Sequence, residues 1–212
     1  MSKQMLGVDR SQRPIDPSTT AFFVCDMQND FVHEDGAFVK RFGKVQPNPD
    51  AIAPSISKVL KAAREIGIRI IYTRVVNRPD GVGQSVRLSR KMGALMEGSW
   101  GAEILEELAP KNDEFVVAKW RFSPFFGTSL ETILRSFGVK TVVLSGVHTN
   151  GVIDSSARDA EYRDLDIVVL RDCCGAATIA LHEAHLETMQ ASFGRVMTSG
   201  EFLEILSATQ TG

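Results

Sequence analysis

The chain has 212 residues, of which 43% are hydrophobic, and this composition suits one soluble domain with a full core. A formal net charge of −2 gives no reason to expect nucleic acid or an anionic membrane as a partner, and no apolar run approaches the roughly 18 residues of a membrane span. Residues 1–19 are polar and lack the apolar core of a secretory signal, so the sequence predicts a cytoplasmic protein in which a short N-terminal extension precedes a single domain.

Short β-branched runs alternate with helical patterns along the whole chain. Six strands are predicted, in chain order Ala21–Asp26, Arg69–Val75, Glu114–Lys119, Thr141–Ser145, Asp166–Leu170 and Arg195–Thr198. Four of them have continuously apolar centres, which is typical of a parallel sheet covered by helices on both faces. We therefore expect an α/β domain with three α/β/α layers, Rossmann-like, around a six-stranded and mainly parallel sheet.

Apolar residues at helical spacing predict the connecting helices. The predicted segments are residues 52–63 capped by Gly67, 104–108 ended by Pro110, 130–137 closed by Gly138, 153–162, 179–193 before Gly194, and a last helix from Ser199. The irregular stretch from Asn77 to Trp100 is longer than an ordinary loop. It is either a lid over a binding site or a mobile insertion, and the sequence leaves both open.

Two charged residues end predicted strands. Ligands of such sheets bind outside the carboxyl ends of the strands, where Asp26 ends the first predicted strand and Lys119 ends the third. A carboxylate beside an apolar strand costs free energy unless it is paired, and Lys119 is the natural counter-ion. Pairs of this kind collect at active sites. A structural salt bridge, or two solvated strand ends that never meet, remain the alternatives.

Aromatic residues and an arginine follow Lys119 directly. The segment Trp120–Phe126 contains Arg121 and three phenylalanines, and such a cluster at a strand end can wall a pocket and grip an anionic or amide group. The alternative is ordinary core with one surface arginine.

Neither the cysteines nor the histidines have the spacing of a metal site. The three cysteines are predicted to be reduced and buried, and the four histidines lack a matching set of ligands; these residues are Cys25, Cys173, Cys174, His33, His148, His182 and His185. A phosphate-binding glycine loop is also missing from the sequence, so no cofactor or metal is predicted.

Taken together, these segments resemble the isochorismatase-like hydrolase superfamily, also called the cysteine hydrolases. The resemblance runs from about Thr20 to Leu206, and its motifs are Asp26–Phe31, Gly98–Ile104 with Leu108–Pro110, Lys119–Thr128, Leu144–Asn150, Arg158–Ala160 and Asp172–Cys174. It implies the isochorismatase-like hydrolase fold and a homodimer or homotetramer.

The resemblance also implies roles for individual residues. Asp26 and Lys119 would be two members of an Asp–Lys–Cys triad, and a cis peptide between Val147 and His148 would shape a turn whose N–H groups bind an oxyanion. The candidate substrate-binding residues are Gln28, Phe31, Trp120, Arg121, Val147, His148, Thr149 and Asn150.

The sequence departs from the family at the nucleophile. Amidohydrolases of the family read Thr-Asn/Asp-x-Cys-Val, and this chain reads Thr-Asn-Gly-Val-Ile, with Val152 at the cysteine position. Alternation along the first strand is expected to point Cys25 away from the side that Asp26 uses. The Asp-x-His metal motif of nicotinamidases is also missing after the second strand, which argues against nicotinamidase activity.

The leading hypothesis is therefore a hydrolase of a small polar or carboxylated metabolite that works without a thiol nucleophile. Asp26 would act as general acid or base, and Lys119 would balance its charge. A vinyl ether, imine or amide of a small planar acid fits the sequence. A second hypothesis is a catalytically reduced member that binds a small ligand or a protein partner. A third is that Val152 is an engineered replacement in an amidase.

Overall fold

A computed structural model describes residues 13–83 and 92–209 of the chain. Its centre is a six-stranded sheet in which every neighbouring pair is parallel, with the order β3-β2-β1-β4-β5-β6. The strands are Thr20–Cys25 (β1), Arg69–Val75 (β2), Phe115–Lys119 (β3), Thr141–Val147 (β4), Asp166–Gly175 (β5) and Arg195–Met197 (β6). The predicted three-layer fold is confirmed, with a sheet that is parallel throughout.

Helices cover both faces of this sheet. Numbered within the described residues, they are Asn29–Val32 (α1), Ala37–Phe42 (α2), Pro49–Glu65 (α3), Leu130–Ser136 (α4), Asp154–Glu161 (α5), Ile179–Ser192 (α6) and Ser199–Thr209 (α7). Helices α3 and α7 bury their apolar residues against one face, and α4, α5 and α6 against the other. Successive side chains of a strand point to opposite faces of the sheet, so each central strand contributes residues to both cores. For this reason the centres of these strands are continuously apolar in sequence.

The strand order places a topological switch between β1 and β4. The chain moves outward from β1 through β2 to β3, then returns to the other side of β1 and continues through β5 to β6. In open α/β sheets the ligand-binding crevice lies at such a switch point, outside the carboxyl ends of the strands, which here are β1 and β4. Asp26 follows β1 and His148 follows β4, so both lie at this crevice.

Three predicted elements differ from the structure. Residues 104–108 do not form an α-helix, because Ile104 pairs with Gln28 in an isolated β-bridge and only Glu106–Leu108 make a short 3-10 turn. The helix predicted from residue 153 begins earlier, with a π-helical turn over Thr149–Ile153 that leads into α5. Strand β5 continues to Gly175, five residues beyond the apolar run that predicted it.

Buried polar side chains hold the described part of the irregular stretch. The Asp30 carboxylate accepts hydrogen bonds from the backbone N–H of Leu95 at 2.7 Å and of Ala37 at 3.0 Å. The Asn77 amide donates to the carbonyl of Ala94 at 2.8 Å. A Cβ at Gly101 would lie 2.2 Å from the Asp30 carboxylate, so only glycine fits there. Residues 92–102 are thus fixed beside the strand ends, and the remainder of the predicted lid, residues 84–91, lies outside the described residues.

The end of the N-terminal extension packs on the domain. Ile15 is buried in the core, and Arg13 forms an ion pair with Asp166 at the start of β5. Within the described residues, no helix has the length and apolarity that crossing a bilayer requires.

Candidate functional site

Asp26 and Lys119 meet at the carboxyl ends of β1 and β3. The Lys119 Nζ lies 2.6 Å from the Asp26 Oδ2, and it also donates to the carbonyl of Arg121 at 3.1 Å. Asp26 is 3% exposed and Lys119 is 2% exposed. The two charges are therefore paired in a place with little water, where each is stabilised mainly by the other.

Thr73 on β2 also forms a hydrogen bond with the Asp26 carboxylate. Its hydroxyl donates to the Asp26 Oδ1 at 2.6 Å, and its carbonyl accepts the Asp26 backbone N–H at 3.0 Å. Asp26 itself has a φ of 52°, in the left-handed region, so the chain turns sharply as it leaves β1. Both carboxylate oxygens are held in fixed directions as a result. Sequence reasoning missed Thr73, although it lies near the end of the strand between those that carry Asp26 and Lys119.

Val152 lies in the π-helical turn after β4, at the position that the resemblance assigns to a cysteine nucleophile. Its side chain is 1% exposed and belongs to the core on the α4–α6 side of the sheet. The Ser156 hydroxyl donates to its carbonyl at 2.5 Å and so fixes the start of α5. An aliphatic group at this point can neither attack a substrate nor exchange a proton.

The Cys25 thiol is completely buried in the core on the α4–α6 side of the sheet, the core that also contains Val152. Burial raises the pKa of this thiol far above its ordinary value, and the charge of Asp26 acts in the same direction. Cys25 is thus a protonated core residue, and a thiol in this state is a poor nucleophile.

Cys173 and Cys174 are equally unsuited to attack. Both are fully buried, and burial raises the pKa of each thiol well above its ordinary value. The expectation of reduced, buried cysteines is confirmed for all three.

The turn after β4 is rigid and inward-facing. The peptide bond between Val147 and His148 is cis. The Val147 side chain packs in the core, and the buried Thr149 hydroxyl makes a 2.9 Å hydrogen bond with the Nδ1 of His182, a buried residue of α6. The Asn150 Oδ1 is buried and accepts no hydrogen bond from the residues that the structure describes. Nothing in the sequence indicated His182 as a metal ligand, and its role as the support of Thr149 could be recognised only once the packing of α6 was known.

His148 presents its ring at the crevice. The ring is partly buried and rests edge-on against Phe31 of α1, with 5.4 Å between ring centroids. Its ring nitrogens make no hydrogen bond to any other residue that the structure describes. Burial lowers the pKa of the imidazole, and the charge of Asp26 acts to raise it. His148 is therefore a neutral imidazole near the carboxylate at pH 7.

The segment after Lys119 is divided between core and surface. Phe125 is buried, whereas Trp120, Phe122 and Phe126 are about half exposed or more. Phe122 approaches the Gly151 turn, since a Cβ placed on that glycine would lie 3.8 Å from its ring. Both alternatives raised by the sequence thus hold in part, with an aromatic rim beside the turn and one phenylalanine in the core.

Arg121 is exposed, and only part of its guanidinium is hydrogen-bonded within the described residues. Its Nη1 donates to the carbonyls of Gly83 at 2.7 Å and Trp120 at 2.9 Å. The other N–H groups of its guanidinium make no hydrogen bond within the described residues. They leave Arg121 able to bind an anion.

The Gln28 side chain is hydrogen-bonded to the backbone of neighbouring segments. Its amide donates to the carbonyls of Val75 and Ala102 and accepts the N–H of Val75, each at 2.8 Å. The side chain is completely buried and ties the segment after β1 to the end of β2. We therefore do not count it among the groups that could contact a substrate.

In the described ranges, no three histidine, cysteine, aspartate or glutamate side chains come together in a way that could hold a metal ion.

Comparison with known proteins places this arrangement in context. A family model described as the isochorismatase domain matches residues 20–201. A probable inactive nicotinamidase of Arabidopsis thaliana is 34% identical over 89% of this chain and 96% of its own length. A maleamate amidohydrolase of Pseudomonas putida is 34% identical over 76% of each chain. The crystal structure of a cysteine hydrolase from Pseudomonas syringae pv. phaseolicola superposes with a TM-score of 0.84 at 29% identity, covering 93% of this chain and 96% of the other.

Proposed function

The chain belongs to the isochorismatase family, and we propose that it hydrolyses an amide, imine or enol ether of a small planar carboxylic acid without a thiol nucleophile. The observation that carries this proposal is the buried contact between Asp26 and Lys119, 2.6 Å long, at the switch point of the sheet. Keeping two charges in an apolar setting costs several kcal/mol per ion before their mutual attraction is counted, so a pair retained there beside a crevice favours a chemical role.

Water takes the place of the thiol in this proposal. With Val152 at the nucleophile position, no acyl-enzyme can form there, and the electrophilic carbon of the substrate is attacked directly. Asp26 serves the proton transfer that this attack requires, a contribution worth roughly 10²–10⁴-fold in rate. Lys119 and Thr73 fix the orientation of the Asp26 carboxylate.

Maleamate is the first amide to test. The Pseudomonas putida relative is named for it, and it is the amide of a planar four-carbon acid. The uncommitted N–H groups of Arg121 could bind the free carboxylate of such a substrate, because a guanidinium matches a carboxylate in geometry as well as in charge. The aromatic rim at Trp120 and Phe122 could cover its planar face.

The proposal is tested by measuring ammonia release from maleamate and from a panel of small amides, together with release of the carbonyl product from enol ethers. We expect turnover by the natural chain and a loss of roughly 10²-fold or more in Asp26→Asn, checked for folding by circular dichroism. The matched control is Asp35→Asn, an exposed carboxylate paired with Lys40, and it should keep full activity. Unchanged turnover in Asp26→Asn would refute the assignment.

A second function is favoured by the burial of Val152 and by a relative named as probably inactive. In that case the crevice binds a small planar acid or amide and leaves it intact. A thermal-shift screen with the same compounds separates the two functions. A compound that raises the melting temperature and is recovered unchanged after prolonged incubation supports binding alone.

A further inference from the structure

Direct hydrolysis needs two proton movements, and the site contains two groups that could share them. As water attacks, one proton must leave the water oxygen, and when the leaving group departs, one proton must reach it. In thiol hydrolysis the nucleophile and its partner divide such tasks. Val152 removes that possibility here, so the available titratable groups of the crevice decide the chemistry.

We propose that His148 is a catalytic residue that takes the proton of the attacking water, and that Asp26 delivers it to the leaving group. The inference rests on the proposed hydrolase function and deepens it. Two observations carry it: the imidazole follows the strand that adjoins β1, and its ring nitrogens have no hydrogen-bond partner among the described residues.

The surroundings of His148 fix the ring without occupying its nitrogens. Phe31 of α1 meets the ring edge-on at 5.4 Å, which holds the plane of the imidazole by an apolar contact alone. By contrast, the Nδ1 of His182, the other histidine near the turn, is bonded to Thr149 at 2.9 Å. One imidazole is thus part of the scaffold, and the other is left free at the crevice.

Charge also favours this division. Asp26 is the charged group of β1 that acts on His148, and Lys119 of β3 is already bonded to Asp26. On the side of α6 the neighbouring group is His182, whose pKa is lowered by burial, so it carries no charge at neutral pH. Among the described residues, a proton taken up by His148 is therefore stabilised chiefly by the carboxylate that is to pass it on.

The step balances for an amide. The water oxygen forms a bond to the carbonyl carbon while one water proton moves to a ring nitrogen of His148. The imidazolium transfers this proton to Asp26, and Asp26 gives it to the nitrogen of the leaving group as the carbon–nitrogen bond breaks. The products are the carboxylic acid and ammonia, and both side chains return to their starting states.

The first test uses His148→Ala with maleamate, or with whichever amide the natural chain is found to turn over. We expect kcat to fall by roughly 10²–10⁴-fold with KM changed far less. Added imidazole should restore part of kcat, because it can enter the space left by the ring. The matched control is His33→Ala, which removes a histidine outside the crevice and should leave both constants unchanged. Activity of His148→Ala equal to that of the natural chain would overturn the inference and leave the proposed function standing.

The second test does not depend on turnover. The full chain labelled with [¹⁵N]histidine is titrated by NMR, with the His148 signals identified by their loss in His148→Ala. The ring should titrate below an ordinary histidine, and its pKa should fall further in Asp26→Asn, because the attraction of the carboxylate is removed. A titration of His148 that is identical in Asp26→Asn would overturn the inference. If the natural chain hydrolyses nothing while the coupling is observed, the proposed function fails, and the catalytic role of His148 fails with it.

Discussion

The two halves of the crevice are built in opposite ways. At the ends of β1, β2 and β3, a carboxylate, a hydroxyl and an ammonium satisfy one another through bonds of 2.6 Å. Across the switch point, at the end of β4, Val152 is packed like any core residue and His148 has no bond to its ring nitrogens from described residues. The charged half is thus held by an ion pair and hydrogen bonds, whereas the half at the end of β4 is held by apolar packing.

Lys119→Met is the substitution in the charged half that we expect to lower the free energy of unfolding most. Removing the amine leaves the Asp26 carboxylate buried without its counter-ion, and breaking a buried pair in this way costs about 3–5 kcal/mol. We expect the free energy of unfolding, measured by urea denaturation, to fall by this amount.

The matched control is Lys40→Met, which removes an exposed amine from its ion pair with Asp35. Solvent screens that pair, so this variant should unfold at almost the same urea concentration as the natural chain. Equal decreases in the free energy of unfolding of the two variants would mean that the buried pair contributes no more to stability than the exposed pair.

The packed half is tested by Val152→Ala. The change removes two methyl groups from a side chain that is 1% exposed, and the lost burial with the cavity left behind should cost about 2 kcal/mol. Val152→Cys should cost less, since the thiol refills part of the volume. Urea denaturation measures both, and ammonia release from maleamate then shows whether the restored thiol raises amide hydrolysis above that of the natural chain.

Val116→Ala is the control for this pair of variants. The same methyl groups are removed from a residue of the edge strand β3 that is 41% exposed, and the effect should stay within about 0.5 kcal/mol. If Val152→Ala lowered the free energy of unfolding as little as Val116→Ala, the Val152 side chain would not be contributing to the core.

The smallest expected effect concerns pH. Burial lowers the pKa of His182, with Glu183 acting to raise it and Arg171 to lower it, so the unfolded chain binds a proton at a higher pH than the folded one. The stability that this residue contributes is complete above the ordinary histidine value near 6.5, and it is lost as pH falls below that value. One proton accounts for at most about 1.4 kcal/mol per pH unit.

His182→Asn isolates this contribution. Its free energy of unfolding, followed by urea denaturation between pH 7 and pH 5, should decline less steeply than that of the natural chain. Carboxylates titrate in both proteins and cancel in the comparison. Parallel curves for the two proteins would contradict a neutral, buried His182.

Much of the fold followed from the sequence because its signals are local. The apolar centres of β1, β2, β4 and β5 predicted the parallel sheet, and glycines with positive φ end helices at Gly67 and Gly138 as expected. The pairing of Asp26 with Lys119 was predicted on a different basis, since a buried carboxylate requires a counter-ion and only few strand ends could provide one.

The remaining features depend on contacts between distant segments. The left-handed turn at Asp26 sets the direction of its carboxylate, and no pattern in the strand indicates such a turn. The bonds of Gln28 to Val75 and Ala102 require the fold to be known. The same is true of Thr149 and His182, which are 33 positions apart in sequence.

An isopropyl group also changes what can damage the crevice. Peroxide converts an accessible thiolate stepwise to sulfenic, sulfinic and sulfonic acids, the last of them beyond repair, and electrophiles alkylate it. Val152 offers neither reagent a target, and the three sulfhydryls of the chain are enclosed and protonated. Peroxide and electrophiles therefore meet no exposed thiolate beside the Asp26–Lys119 pair.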